Sequence, residues 1–213
     1  GRWYPAVSGV AQSHNYYPVQ DMQPSEGIAH IALGVGKTVV VGEGNLRFSP
    51  AHPQQLIQFS TVEDILENCQ RQLYALDMDN QDCLNRYNAN LTRYDVQDVA
   101  EDLPVGLLAS TYIPEEHRIR DVNMAGVKIL TFAQILKYRE FPLADILKDM
   151  LALGAQGMGC PVELEFSVNW PQDQDGKPVE HFDIRFNSEG AKKGEEKLER
   201  IIEDHHGNKR DEA

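Results

Sequence analysis

Residues 162–169 alternate without a break, with Val162, Leu164, Phe166 and Val168 set against Glu163, Glu165, Ser167 and Asn169. A period of two marks a β-strand with one face buried and the other in water. A polar stretch follows over 170–178, and 179–186 reads as a second strand, so the spacing predicts a long antiparallel hairpin. A hairpin is marginal on its own in water, so its apolar face must lie on a larger core. The expected fold class is therefore α+β, a mostly antiparallel sheet with helices packed on it.

The rest of the chain supplies candidates for that core. Residues 7–13 read as a strand with a Ser-Gly turn. Residues 26–33 read as a short helix, with Ser25 as N-cap and Gly34 as stop. The β-branched run over 38–41 reads as a strand, with 46–48 as its hairpin partner across Gly42 and Gly44. Thr61 caps a helix expected through Tyr74, with Val62, Ile65, Leu66, Cys69 and Leu73 on one side. Residues 126–131 read as a strand, and 132–138 and 142–153 as two helices or one broken at Pro142, with Gly154, Gly157 and Gly159 ending the helical region. No internal repeat is present.

Charge divides the chain unevenly. Its 213 residues suffice for one large domain or two small ones, and they carry a net charge of −13. Residues 61–121 hold 13 acids and 5 bases, −8 of that total, and read as an acidic, solvated insertion. Residues 187–213 read as a mixed-charge tail, with Leu198, Ile201 and Ile202 as apolar anchors for a helix over 191–204. A charge of −13 repels a phosphate backbone and disfavours general nucleic-acid binding. It leaves room for a nucleotide site, which needs only a few local cations, backbone N–H groups and a metal.

No apolar run approaches the ~20 residues that span a bilayer. The amino-terminal Gly-Arg-Trp-Tyr-Pro has neither an initiator Met nor the apolar centre of a signal peptide, so a piece of a longer chain is expected. Cys69, Cys83 and Cys160 are odd in number and form no C-x-x-C, which points to reduced thiols and a cytoplasmic location rather than disulfides or zinc.

The residues best placed for chemistry are on the hairpin. Glu163 and Glu165 are two apart and share a strand face, and Asp183 and Arg185 repeat the spacing on the opposing strand. Four ionisable groups on one face are expected, two acids opposite an acid and an arginine. Paired carboxylates suit Mg²⁺, which takes one or two protein oxygens and completes its shell with phosphates and water. An arginine beside them suits a transferring phosphate. Gly34-Val35-Gly36-Lys37 is glycine-rich and ends on a lysine, but the full phosphate-loop spacing is not met. Ser8-Gly9 has no G-x-S-x-G frame and no acid–base partner, which argues against a hydrolase. His14, His30, His52, His117 and His181 form no ligand spacing, and the adjacent His205 and His206 face different directions on a helix. Trp3-Tyr4 and Tyr16-Tyr17 read as core or edge aromatics.

Three stretches together resemble one family. They are Tyr4-Pro5-Ala6-Val7-Ser8-Gly9-Val10-Ala11, the run from Gly27 through Gly34-Val35-Gly36-Lys37-Thr38 to Glu43, and Leu46-Arg47-Phe48-Ser49-Pro50. With Gly159-Cys160-Pro161-Val162-Glu163-Leu164-Glu165-Phe166 and Phe182-Asp183-Ile184-Arg185, they resemble the nucleotide-binding domain of phosphoenolpyruvate synthase and pyruvate phosphate dikinase. The resemblance covers about 1–60 and 122–186, with 61–121 as the insertion. It implies an ATP-grasp fold, in which antiparallel sheets clamp ATP and Mg²⁺ between two subdomains. It also implies phosphoryl transfer from ATP to a histidine on a separate domain, and then to pyruvate.

Carried over motif by motif, the resemblance implies that Glu163 and Glu165 hold Mg²⁺ and contact the nucleotide, and that Arg185 and Lys37 lie near the phosphates. Ser8, Gly9 and Val10 would line the cleft. Asp183 stands where the family commonly has Gln, Lys37 where many members have Glu, and Phe186 where Pro is usual. The amino-terminal ATP-grasp subdomain, the phosphohistidine domain and the pyruvate-binding domain have no counterpart in these residues. The expectation is a partial ATP-grasp domain over 1–186, with no catalytic residue of its own and silent alone. The alternative is a nucleotide-sensing or partner-binding module with a degenerate site.

Overall fold

The computed structural model describes residues 1–41, 44–80, 89–169 and 183–187, the last stretch and residues 57 and 103 by backbone only. The expected turn over 170–178, the start of the second hairpin strand, the helix over 191–204, Cys83, His181, His205 and His206 lie outside them.

The architecture is α+β, built on three antiparallel sheets. The largest has the order β11-β10-β2-β3-β4. Its strands are β2 (Val7–Gln12), β3 (Ile28–Ala32), β4 (Leu46–Phe48), β10 (Glu163–Asn169) and β11 (Asp183–Asn187). A second sheet joins β1 (Arg2–Trp3), β5 (Gln72–Asp77) and β6 (Leu91–Asp95) in the order β1-β5-β6. The third, β8-β7-β9, consists of β7 (Ala109–Ile113), β8 (Arg118–Arg120) and β9 (Val127–Leu130).

The expected hairpin is present: β10 and β11 pair antiparallel. The alternation does what its period requires, since Leu164, Phe166 and Val168 are buried while Glu163 and Glu165 are exposed. The long helix α5 (Leu143–Met158) buries Leu143, Ala144, Leu147, Met150, Leu151 and Gly154, a stripe at helical spacing. It ends at Gly159, whose left-handed conformation (φ 70°) lets its N–H reach the Ala155 carbonyl. The shorter α3 (Leu103–Leu108) and α4 (Ala133–Leu136) precede it. Helix α2 (Val62–Asn68) opens on Thr61, whose hydroxyl accepts from the Asp64 N–H at 3.1 Å while the Asp64 carboxylate accepts from the Thr61 N–H at 3.1 Å.

Two neighbouring segments exchange the expected roles. Residues 26–33 are not a helix: after a 3-10 turn at Pro24–Glu26 the chain becomes β3, an interior strand of the large sheet. Ile28, Ala29, Ile31 and Ala32 are all buried, so both faces are covered and the alternation that marks a strand is erased. The β-branched run is not a strand either. It forms α1 (Lys37–Val41), begun by the Val39 and Val40 N–H groups bonding the Gly36 carbonyl at 3.0 and 3.2 Å. Thr38 and Val39 point inward and Val40 outward, a helical division that burial favours over the intrinsic preference of valine. β4 accordingly pairs with β3.

The helix begun at Thr61 stops at Asn68, and the chain is extended again from Gln72. Nor is 61–121 a solvated insertion. It contributes strands to two sheets, and Leu73, Val96, Val99, Val105, Leu108 and Ala109 join the same core as Val7, Ile31 and Phe166. Its acids sit on exposed positions around that contribution, such as Glu63, Asp95 and Glu116.

Candidate functional site

The antiparallel register of the large sheet places its polar residues in rows, because directly paired residues share a face. One row runs Glu163–Gln12–Ile28. The next runs Asn187–Glu165–Val10–His30–Arg47, across all five strands. A third runs Arg185–Ser167–Ser8–Ala32, and Asp183 pairs with Asn169.

This staggers the four ionisable positions of the hairpin. Glu165 faces Asn187, so neither Asp183 nor Arg185 stands directly opposite either glutamate. Arg185 is one diagonal step from Glu165, while Asp183 is four residues along the strand, about 13 Å at ~3.3 Å per residue. The close like-charge contact expected of Asp183 is absent from this register.

Glu163 and Glu165 are exposed neighbours on the open face, and the Glu163 carboxylate accepts a hydrogen bond from the Gln12 amide. Neither is in an ion pair among the described residues. Among those residues no group of three or more His, Cys, Asp or Glu side chains is arranged to hold a metal ion. Two adjacent carboxylates are a poor protein-only cage but suit Mg²⁺ carried in on phosphate oxygens, which needs only one or two protein ligands.

The residues of β2 divide differently. Val10 lies on the open face beside Glu165. Ser8 is buried, and its hydroxyl donates to the Gly34 carbonyl at 2.7 Å, which ties the end of β3 to β2. Gly9 faces the core: a Cβ there would stand 2.3 Å from Phe166 Cζ and 2.7 Å from the His30 carbonyl oxygen. Glycine is required here by packing. Lys37 opens α1 and lays its ammonium 4.5 Å from the centre of the Tyr74 ring, on the second sheet.

Two residues not singled out as ligands join the Glu165 row. Arg47 donates from Nη2 to the Asn15 side-chain oxygen at 3.1 Å and to the Tyr17 carbonyl at 2.9 Å. His30 shares a 3.3 Å hydrogen bond between Nδ1 and the Asn45 side-chain oxygen. Reading 28–32 as a strand would have placed His30 on the same face as Glu165, where it is half-buried between Ile28 and Ala32. The Asn15 amide nitrogen beside Arg47 is buried with no hydrogen-bond partner. The row spans three strand spacings from Glu165 to Arg47, about 14 Å at ~4.8 Å each.

Among the described residues no helix is long and apolar enough to cross a membrane. Comparison with family models, with curated proteins and with solved structures found no match.

Proposed function

We propose that this chain is the carboxy-terminal part of the ATP-binding domain of a phosphoenolpyruvate synthase-like phosphotransferase, of ATP-grasp type. The observation that carries the reading is the open face of the five-stranded sheet. There Glu165 stands exposed in a row that reaches His30 and Arg47, with Glu163 exposed beside it in the neighbouring row. An acidic end for a metal-bound phosphate and a row about 14 Å long suit an extended nucleotide better than a compact substrate.

In this reading Glu163 and Glu165 hold the metal, and Gln12 orients the Glu163 carboxylate through its amide. Bound Mg²⁺ supplies neutralisation of phosphate charge. Arg185, next to Ser167 by register, lies one diagonal step from Glu165 and supplies a cation near the phosphates. Val10 gives the face an apolar floor between the acids and His30. Phosphoryl transfer needs mainly positioning and charge neutralisation, and a rigid sheet provides the first. A second subdomain would close over this face, exclude water and strengthen each contact. The histidine and pyruvate acceptors would come from further domains.

Calorimetric titration with ATP, with and without Mg²⁺, tests the reading, with Glu165→Ala as control. Metal-dependent binding that the substitution abolishes supports it. A flat titration on folded protein removes the claim that this chain binds ATP by itself, and favours a degenerate, partner-binding face.

A further inference from the structure

A second polar feature lies on the other sheet. Between α1, α2 and the β5–β6 ladder is a cleft of about 490 Å³, a size typical of small-molecule sites. Arg71, Arg93, Tyr74, Asn45, Gln58 and Asn68 are among its lining residues. Tyr74 and Arg93 are directly paired in the ladder, as are Gln72 and Asp95, so all four present to the cleft from one face. The Lys37 ammonium rests on the Tyr74 ring.

Two arginines thus line one concavity in a chain of net charge −13. Glu67 and Asp95 also line it, but neither arginine is in an ion pair with them or with any other described acid. Asp95 is occupied otherwise, accepting from the Gln97 N–H at 2.8 Å to cap the turn that follows β6. Arg71 donates from Nη2 to the Leu66 carbonyl at 2.9 Å and also interacts with the Cys69 side chain, which anchors it beside the cleft.

The backbone behind the cleft is held in place by Gln70, which lies between the lining residues Cys69 and Arg71. Gln70 is 2% exposed, and its amide donates to the Leu33 and Gln72 carbonyls at 2.7 and 2.8 Å while accepting from the Leu33 N–H at 2.8 Å. It pins β5 to the end of β3. Gly44 packs on it so closely that a Cβ would stand 2.6 Å from Gln70 Cα, in a left-handed conformation (φ 75°) that favours glycine. The segment that carries Arg71 is therefore held while both arginines are exposed.

We propose that this cleft binds a compact oxyanion, a small molecule carrying at least two negative charges on phosphate or carboxylate groups. Arg71 and Arg93 grip the anion with planar guanidinium groups, while Asn45, Gln58 and Asn68, tied by hydrogen bonds within the protein, shape the polar wall around it. The site uses none of the residues of the acidic strand face and does not depend on the function proposed for that face.

The test is calorimetric titration of the whole chain, freed of divalent metal and at low salt, with pyrophosphate and separately with citrate. The expected result is one-site binding of at least one probe, weakened about tenfold or more by Arg71→Gln and by Arg93→Gln and unchanged by Glu165→Ala. Tighter pyrophosphate binding assigns a phosphorylated ligand, and tighter citrate binding a carboxylate one. Both arginines are exposed, so the variants should keep the parent unfolding midpoint, which is measured alongside. Absence of binding by both probes, or binding that both arginine variants retain within about twofold, overturns the proposal.

Discussion

The five-stranded sheet and the β8-β7-β9 sheet treat their polar residues in opposite ways. In the smaller sheet, polar side chains are buried and bound to one another. Ser110 is fully buried, and its hydroxyl donates to Asp121 Oδ1 at 2.9 Å and shares a 2.5 Å hydrogen bond with the Thr131 hydroxyl. Asp121 also accepts from Lys137 Nζ at 2.7 Å and from the Tyr138 hydroxyl at 3.1 Å. Thr111 donates to the Val122 carbonyl at 2.8 Å, and the buried Lys128 ammonium is held by the Asn123 side chain and the Met124 carbonyl. In the larger sheet, the polar residues of β10 stand outward, and its covered face is apolar throughout. Buried polar groups that satisfy one another are part of the architecture, whereas exposed ones that no ion pair restrains remain available to a ligand.

The sharpest break in that contrast is on the apolar face. Gly9→Val should be the most damaging substitution, because the added carbons meet both the Phe166 ring and the His30 backbone, and the backbone cannot yield without disturbing the β2–β3 ladder. Overpacking of this kind should cost about 3 kcal/mol or more, read as a lowered urea midpoint. A variant that unfolds within about 1 kcal/mol of the parent would show that β2 can move aside and that its covered face is not tightly packed.

Asp121→Asn addresses the smaller sheet and should cost about 2 kcal/mol at neutral pH, since it weakens charge-assisted hydrogen bonds at a half-buried site. Burial pushes the Asp121 carboxyl up, but the Lys137 ammonium and the Ser110 and Tyr138 hydroxyls outweigh it and hold the group below the usual carboxylate range. A depressed carboxyl contributes stability that is present above its unfolded value and lost as pH falls through its folded value. The stability gap between parent and variant should therefore be full at about pH 7 and shrink below about pH 4. A gap that stays constant into acid would assign the cost to shape rather than to charge.

The same contrast explains what was legible in the residues. The β10–β11 hairpin, the Thr61 cap and α5 follow from local periodicity, because each has one wet and one dry side. β3 was not legible as a strand: Ile28, Ala29, Ile31 and Ala32 are dry on both sides, and a short continuous apolar run reads equally well as helix. α1 was hidden by its β-branched residues, whose helical form depends on burial of Thr38 and Val39 by other parts of the chain. Among the many charges of 61–121, Leu73, Val96, Val99 and Leu108 reach the core singly, so composition masked their role. Of the candidate site, Glu163 and Glu165 share a face by spacing alone. The stagger of Asp183 and Arg185 depends on the hairpin register, which the spacing within each strand does not set. Arg71 and Arg93 are 22 residues apart in the chain and meet only through the β5–β6 ladder and the cleft beside it.

The smallest effect expected is also the one that separates the two sheets most cleanly. Glu165→Gln removes a charge from the open face, and its paired neighbours Val10 and Asn187 are uncharged. Its nearest charged neighbour along the strand is Glu163, about 7 Å away at ~3.4 Å per residue. Two like charges at that distance in water repel by about 0.6 kcal/mol, and salt reduces this further. Arg185, one diagonal step away, offsets part of that repulsion, so the substitution should change stability by no more than about 0.5 kcal/mol at low salt and the difference should vanish at high salt. The carboxylate then contributes little to the fold, unlike Asp121. A loss of more than about 1 kcal/mol would instead place Glu165 with Asp121, as part of what holds the chain together.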